Sequence, residues 1–451
     1  MTKQVTAVAD ELAAETLGRW DAYAEYRDSG VDWLGETPAH WRESRLAHLG
    51  PIVGGMTPAT GEAGYWGGDI PWVTPKDMKR PIIDSAEDRI SERAINETGL
   101  ATVEPPAVLF VVRGMILAHS FPVSVTTVPV TVNQDMKALR LLSGVEPHFV
   151  RFLLTGLASA VVSLLVEESS HGTKALRLDR WRRFALFIPP HDEQRAIVAL
   201  LDREVARIDA LTEKKERLIQ LLDEQRLVLV HSYVLGSPLP HWRSARLKDA
   251  VIGCENGAWG DEPTGGVDDV LCVRVADFDR RTSRVSESAE TMRSLSCSLR
   301  ERLALRPGDL LLEKSGGGDR QPVGKVVLYD LEVPAVSSNF IARMRVAHGN
   351  DPRFLCYVHE GMYFTKVNTR SIKQSTGIQN LVSYSYLSES VMLPPEVEQI
   401  EIADELDRET ARIRALIAKV RDHIALLREY RTALISAAVT GKIDVRSEVA
   451  A

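Results

Sequence analysis

The stretch IPPHDEQRAIVALLDREVARIDAL (188–211) returns in altered form as LPPEVEQIEIADELDRETARIRAL (393–416). When residues 189–236 are laid over residues 394–441 without a gap, nearly half of the positions are identical. Unrelated segments of this length match at only a few positions, so the repeat is a duplication. The chain therefore consists of two related halves, each ending in the repeated segment.

Each copy of the repeat predicts a long amphipathic helix. Apolar residues recur at spacings of three, four or seven, and neither proline nor glycine interrupts 191–235. Acidic residues follow each Pro-Pro pair, and Gly236 and Gly441 suit the C-terminal ends. The predicted seam consists of Ile197, Leu201, Ile208, Leu211, Leu218, Leu222, Ile402, Leu406, Ile413, Leu416, Val420, Ile424 and Leu427.

One apolar stripe of this kind has to be covered by another element. Packing of the two helices on each other as a coiled coil of about 60 Å, with the halves related by a pseudo-twofold axis, satisfies both stripes. The alternative is two independent helices, each packed on its own globular segment.

The segments before the two helices predict mixed α/β (α+β) domains. HWRESRL (40–46) and HWRSARL (241–247) open them, and β-branched runs bounded by Pro, Gly and Asp indicate strands in both. The predicted division is an N-terminal segment 1–31, a first globular domain 32–188, a helix 189–236, a second globular domain 237–393, a helix 394–443 and a tail 444–451.

Composition narrows the class of protein. The chain has 451 residues, 44% hydrophobic and 26% charged, which predicts a globular protein of two or three domains. The net charge of -7 argues weakly against a protein that simply coats nucleic acid. Four cysteines without a C-x-x-C pair, and the absence of signal-peptide or membrane-spanning patterns, favour a reduced, cytoplasmic location.

The sequence lacks the usual catalytic patterns. The Pro-Pro pairs do not follow the Asn or Asp of an adenine methyltransferase, and Asp309, Glu313 and Lys314 lack the Glu-x-Lys spacing of a magnesium-dependent nuclease. The glycine-rich 314–324 is not a phosphate loop, and the histidines have no ligand spacing. We expect neither a catalytic residue nor a metal site in this chain.

Recognition is the remaining class of function. KALRLDRWRR (174–183) is the clearest basic cluster, and its counterpart 371–390 has Lys, Gln and Asn instead, residue types that contact phosphates or adenine edges. The other interpretation is a solvated face around a core Trp181. The predicted DNA-contacting residues are Lys76, Arg113, Lys174, Arg177, Lys314, Arg320, Lys373 and Gln379.

The chain resembles the specificity subunits of type I restriction-modification systems. The resemblance lies in YRDSGVDWLGETPAHW (26–41), in both copies of the repeat, and in REYRTALISAAVTGKIDV (428–445). It implies two target recognition domains that each read one half of a bipartite DNA site, and two helices in an antiparallel coiled coil that sets the spacing between the halves.

The resemblance also implies partners. Two modification (methyltransferase) subunits and the restriction subunits join such a chain on double-stranded DNA. They use S-adenosylmethionine, ATP and magnesium, whereas the specificity subunit itself has no cofactor and is not an enzyme. Two other classes stay open: a fused methyltransferase or nuclease, and a coiled-coil scaffold that binds proteins rather than DNA.

Overall fold

The computed structural model describes residues 20–168, 172–318, 321–375 and 377–446. Contacts between residues divide the chain into two units, of which the first comprises 1–214 with 422–451 and the second 215–421. Both divisions fall inside long helices, so each unit contains the beginning of one helix and the end of the other. The helices are α1 Leu46–Leu49, α2 Glu92–Thr98, α3 Pro147–Gly156, α4 Ala158–Leu165, α5 Leu178–Trp181, α6 His191–Leu235, α7 Cys297–Leu303, α8 Pro352–Phe364, α9 Ser383–Tyr386 and α10 Glu396–Thr440.

The repeated sequence forms α6 and α10, as the periodicity predicts. Each follows a Pro-Pro pair, which fixes the backbone for the first turn, and Glu193 and Glu398 lie near the positive end of the helix dipole. Gly441 ends α10 with a positive φ of 74°, a conformation that costs glycine little.

The first unit contains one larger sheet and several smaller ones. The larger sheet has the order β4-β11-β8-β9-β6, and a second sheet has the order β10-β5-β7. The strand pairs β1–β2, β3–β14 and β12–β13 form three further two-stranded sheets of this unit. Its strands are β1 Tyr26–Asp28, β2 Glu36–Pro38, β3 Arg42–Arg45, β4 Ile52–Gly54, β5 Trp66–Val73, β6 Ile82–Ile83, β7 Asp88–Ile90, β8 Ala107–Val111, β9 Val123–Thr126, β10 Thr131–Val132, β11 Met136–Arg140, β12 Val166–Glu168, β13 Lys174–Leu176 and β14 Ala185–Ile188.

The core of the first unit lies around β8, all of whose residues are buried. β8 pairs antiparallel with β11, Leu109 opposite Ala138, and with β9, Leu109 opposite Ser124. Helix α3 packs on this sheet, and the same apolar cluster includes Ile197 of α6 and Leu434 of α10. The globular segment and both long helices therefore share one core in this unit.

The second unit repeats the arrangement. Its larger sheet has the order β16-β25-β21-β23-β19-β18, and β20-β17-β24, β22-β27-β26 and β15-β28 are the smaller sheets. The strands are β15 Arg243–Arg246, β16 Val251–Asn256, β17 Asp269–Val273, β18 Phe278–Asp279, β19 Arg284–Val285, β20 Met292–Ser294, β21 Asp309–Glu313, β22 Ser315–Gly316, β23 Val326–Tyr329, β24 Ala335–Ser337, β25 Ile341–Val346, β26 Ile372–Ser375, β27 Ile378–Leu381 and β28 Ser390–Leu393.

In the second unit the end of α6 and the beginning of α10 share a core. Val230 and Val234 lie in one apolar cluster with Ala403 and Leu406, and Phe354 of α8 joins them. The predicted mixed α/β class with two related domains and long helices is confirmed.

The course of the long helices can be followed within the first unit. Trp41 donates a hydrogen bond to Glu193 at the beginning of α6 and lies against Gly441 at the end of α10. Further along, Asp209 of α6 accepts a hydrogen bond of 2.9 Å from Arg431 of α10. The two helices therefore run in opposite directions inside this unit.

The predicted seam residues differ in burial. Ile197, Leu201, Ile208, Leu406, Ile413 and Ile424 are buried. Leu211, Leu218 and Leu416 are more than 40% exposed, so these three positions do not form a buried seam in the single chain. The continuous coiled coil stays a prediction.

The apolar segment 147–168 forms two helices and a strand. Helices α3 and α4 make an angle of 60° with each other, and β12 follows them. Within the described residues no single helix is long and apolar enough to span a membrane. Helices α3 and α4 reach that length and apolarity only when they are taken together, and both pack in the core of the first unit.

Candidate nucleic-acid interface

A carboxylate cluster fixes the beginning of α6. The Oε1 atom of Glu193 accepts hydrogen bonds from the Tyr23 hydroxyl at 2.6 Å and from Trp41 Nε1 at 2.9 Å. Its Oε2 atom lies 2.8 Å from His40 Nε2. Burial, and then the hydrogen bond to Glu193, raise the pKa of Tyr23 well above its ordinary value. The cluster joins the N-terminal segment to the helix.

The second unit has the same cluster without the tyrosine. Glu398 accepts a hydrogen bond of 2.8 Å from Trp242 Nε1 and lies 2.8 Å from His241 Nε2. The hydrogen bond to His241 lowers the pKa of Glu398, although burial opposes it. The two His-Trp pairs therefore hold the first turns of α6 and α10.

The neighbouring glutamines attach each globular segment to its long helix. Gln194 accepts a hydrogen bond from the Glu146 amide at 2.9 Å and donates one to the Pro189 carbonyl at 3.0 Å. Gln399 makes the same two bonds, from the Asp351 amide at 3.0 Å and to the Pro394 carbonyl at 2.9 Å. Sequence reasoning missed these roles, although the Glu-Gln pair after each Pro-Pro was the available signal.

The structure brings three of the four predicted cations of the first unit together. Strand β13 carries Lys174, its residue Ala175 bridges Arg113, and Arg177 follows directly. The Gly114 amide also donates to the Lys174 carbonyl at 2.9 Å. This patch includes backbone from two segments that are distant in sequence.

Each of these cations already has a carboxylate partner. Arg113 lies 2.6 Å from Asp135, Lys174 lies 2.6 Å from Glu168, and Arg177 lies 3.0 Å from Glu167. Hydrogen bonding to Lys174 lowers the pKa of Glu168, so this carboxylate is charged at neutral pH. Solvent screens exposed pairs of this kind, so they contribute little to stability and a phosphate can compete for the cation.

Lys76, the fourth predicted cation, lies in a different local setting. Its Nζ atom lies 2.8 Å from Asp88 and 3.4 Å from Glu87. The hydrogen bond to Asp88 is the main cause that raises the pKa of Lys76. It is 42% exposed, so it is accessible from solvent.

In the second unit the predicted residues gather on the sheet β22-β27-β26. Lys314, just before β22, donates a hydrogen bond of 2.7 Å to Asn256 Oδ1, and Lys373 lies exposed opposite Asn380 in β26–β27. Gln379 is only 7% exposed, and its amide oxygen accepts from the Val323 amide at 3.3 Å. Its side chain is therefore buried and bonded to the segment between β22 and β23. Arg320 lies outside the described residues.

Trp181 lies in the core, as one of the two interpretations of the basic cluster predicts. It is fully buried and contacts the rings of Phe110, Phe121 and Phe184. Its neighbours Arg182 and Arg183 are exposed. The aromatic ring holds the basic turn on the unit, and the arginines extend into solvent.

The carboxylates that resemble a nuclease pattern are held in buried ion pairs. Asp309 lies 3.2 Å from Arg345, and Glu313 lies 2.8 Å from Arg280. Burial raises the pKa of Glu313, whereas Arg280 counteracts the rise. Among the described residues no group of three or more His, Cys, Asp or Glu side chains has the geometry of a metal site.

Comparison with known proteins finds relatives of this chain among type I restriction enzymes. Residues 38–220 match the family model described as type I restriction modification DNA specificity domain. The chain is 33% identical over 226 residues to the Type I restriction enzyme EcoR124I/EcoR124II specificity subunit of Escherichia coli, covering 49% of this chain and 54% of that protein. It is 26% identical over 222 residues to the MjaIX specificity subunit of Methanocaldococcus jannaschii, covering 48% of each.

Solved structures agree at the level of the fold. The HsdS subunit of Thermoanaerobacter tengcongensis has a TM-score of 0.52 and 16% identity, covering 90% of this chain and 98% of that one. A chain from a type I R-M system, solved to explain complex assembly and conformational transition, has a TM-score of 0.67 and 15% identity, covering 89% and 98%. This chain spans about half the length of the curated relatives it matches. Residues 38–220 thus match a type I restriction modification DNA specificity domain, and the chain is similar in sequence and fold to type I restriction-modification specificity subunits.

Proposed function

We propose that this chain is the non-catalytic DNA-specificity subunit of a type I restriction-modification complex. In this role each unit reads one half of a bipartite DNA site. The observation that carries the proposal is the repeated cluster at the helix beginnings. Glu193 with Trp41, and Glu398 with Trp242, hold two recognition segments to two helices by the same bonds.

A shared attachment with different surfaces suits two readers of different sequence. In the first unit the candidate surface contains Arg113, Lys174 and Arg177, which suit phosphates and guanine edges. In the second, Lys314 and Lys373 flank the β27 hairpin. Phosphate contacts would position both units, and base contacts would discriminate between sequences.

The long helices would determine the distance between the two half-sites. Helices α6 and α10 have 45 residues each, which corresponds to roughly 68 Å at 1.5 Å per residue. Half-sites read by two related modules are separated by the distance between the modules. Shortening both helices by a matched pair of heptads would therefore change the spacer and leave the half-sites as they are.

The catalytic steps belong, in this proposal, to partner subunits. Two modification subunits would bind S-adenosylmethionine and transfer the methyl group, and restriction subunits would use ATP and magnesium. The buried ion pairs of Asp309 and Glu313 support a non-catalytic chain, because these carboxylates are already bound by arginines.

The test is modified-base sequencing of DNA from cells that express this chain together with its modification subunit. We expect a new methylated motif with two short specific halves around an unspecified gap. Cells with the modification subunit alone are the control. Replacement of residues 32–188 by the corresponding segment of a relative should change one half of the motif and leave the other.

Absence of new methylation from a complex that assembles would contradict the proposal. It would favour a scaffold that binds proteins instead. Methyl transfer by this chain alone would contradict the assignment of catalysis to the partners. To test the candidate cations, Arg177→Ala and Lys373→Ala should weaken DNA binding by the complex and reduce its dependence on salt.

A further inference from the structure

A groove of about 780 Å³ lies on the second unit, beside strand β17. Apolar side chains line part of it, among them Val270, Leu271 and Met292. Met292 and Val333 are 42% and 48% exposed. A concave surface of this size with exposed apolar side chains is typical of a binding site.

The rim of the groove is acidic. Asp269, Glu287, Glu290 and Glu332 contribute four carboxylates, against the single guanidinium of Arg300. Arg300 is itself engaged, since it lies 3.6 Å from Asp268 and donates a hydrogen bond to the Val267 carbonyl. The groove therefore has an excess of negative charge that repels phosphates.

Within the part of the chain that the structure describes, three of the carboxylates form no close ion pair, although Glu290 is near enough to Arg274, which is itself paired with Asp277, to raise the pKa of that arginine. Glu287, Glu290 and Glu332 are exposed and form no ion pair there, whereas Asp269 accepts hydrogen bonds from the amides of Thr264 and Gly265. Unpaired carboxylates beside apolar side chains complement a ligand that combines positive charges with apolar groups.

The glutamate that corresponds to Glu290 in the first unit has a lysine beside it. The sequence Ser-Ala-Glu precedes β7 as residues 85–87 and lies shortly before β20 as residues 288–290. In the first unit Glu87 lies 3.4 Å from Lys76. The second unit has Ala276 at the position that corresponds to Lys76, so Glu290 has no lysine beside it, and the cation that acts on it is Arg274, which is already paired with Asp277. The lack of a close ion pair at this glutamate is therefore a feature of the second unit.

The groove also offers backbone groups. Strand β20, which contains Met292, is at the edge of the sheet β20-β17-β24. Asp261 already occupies part of this edge, because its amide and carbonyl are bonded to the carbonyl and amide of Ser294, so an extended peptide can add only at the Met292 end of β20. An extended chain also alternates its side chains between two faces, which lets apolar residues enter the groove while basic residues meet the rim.

We propose that this groove binds an extended basic segment of another polypeptide, with lysine or arginine alternating with apolar residues. The proposal goes beyond the DNA role of the chain, because the charge of the groove excludes the phosphate backbone. The apolar floor holds one face of the segment, and Glu287, Glu290 and Glu332 bind its cations.

The test uses the full chain and a labelled peptide in which lysine alternates with valine, with binding followed by fluorescence anisotropy. We expect saturable binding that weakens with salt. The triple variant E287Q/E290Q/E332Q should weaken it by about tenfold, since three exposed ion pairs are lost. The matched control is E87Q in the first unit, which should bind the peptide as the unaltered chain does.

A second variant and a second peptide separate the groove from general attraction between charges. Met292→Ser should weaken binding of the lysine–valine peptide, and a lysine–serine peptide should bind more weakly than the lysine–valine peptide. Equal binding of the two peptides, or no effect of the triple variant, would overturn the proposal. So would a change in oligomeric state in the triple variant without any peptide binding, because a second copy of the chain would then be the occupant.

Discussion

Arg226 and Arg431 occupy the same position in the two copies of the repeat, yet they lie in opposite environments. Arg226 is 7% exposed and lies 2.9 Å from the buried Glu360 of α8. Arg431 is 34% exposed and lies 2.9 Å from Asp209, which is 55% exposed. Identical helix positions therefore serve a buried anchor in one unit and a surface pair in the other.

The carboxylate clusters also differ in burial between the units, but here the buried member is in the first unit. Glu193 in the first unit has three partners and is buried, whereas Glu398 has two partners and is 25% exposed. The additional partner, Tyr23, comes from the segment that precedes the first recognition domain. The duplicated helices thus keep the same hydrogen bonds at their beginnings, whereas the burial of the glutamate differs between the two units.

The largest expected effect is that of Arg226→Ala. It removes one partner of a buried ion pair and leaves Glu360 with Lys325 at 3.6 Å. We expect the free energy of unfolding of the second unit to fall by about 3–5 kcal/mol. Arg431→Ala, the matched control, should cost less than about 1 kcal/mol. Urea unfolding of both variants measures the difference, and equal losses would refute it.

The second prediction concerns the carboxylates. Glu193→Ala leaves the Tyr23 hydroxyl and the Trp41 indole without their acceptor, and it should destabilise the first unit by about 2–3 kcal/mol. Glu398→Ala should cost less than about 1 kcal/mol, because water reaches the groups that it leaves. Thermal unfolding followed by tryptophan fluorescence compares the two. A larger loss for Glu398→Ala would reverse the comparison.

The two glutamines should differ much less in their effect on stability. Gln194→Ala and Gln399→Ala remove the same two hydrogen bonds to the backbone, and Gln399→Ala also removes a longer one of 3.3 Å to Asn350, so each should cost about 1–2 kcal/mol. Hydrogen exchange of the Glu146 and Asp351 amides should accelerate in the respective variants. If one of the two substitutions left stability and amide exchange unchanged, the two glutamines would not have the same structural role.

The smallest effect is on the ionisation of Glu398. Its hydrogen bond to His241 lowers its pKa, so it contributes stability above the unfolded value of about 4.3 and loses it as the pH falls through the folded pKa. His241→Ala should raise the pKa of Glu398 in an NMR titration. His348→Ala, elsewhere in the second unit, should leave it unchanged, and the cost in stability should stay below about 0.5 kcal/mol.

Sequence reasoning found the scaffold better than the candidate site. The repeat predicts both long helices and the duplicated domains, because apolar periodicity and helix-breaking residues act locally. It did not identify Glu193 and Gln194 as anchors, because their partners Trp41 and Glu146 are distant in sequence. It also selected Gln379, whose burial depends on the packing of β27 against Val323.

The sequence by itself therefore determined the duplication, the positions of α6 and α10, and the class of fold, since these follow from patterns within one segment. Only the tertiary structure decided which equivalent residues are buried. It pairs Arg226 with Glu360 and Arg431 with Asp209, and it leaves the acidic groove of the second unit without the lysine that the first unit has. Burial and ion pairing depend on neighbours from distant segments, and those neighbours diverged while the helices were kept.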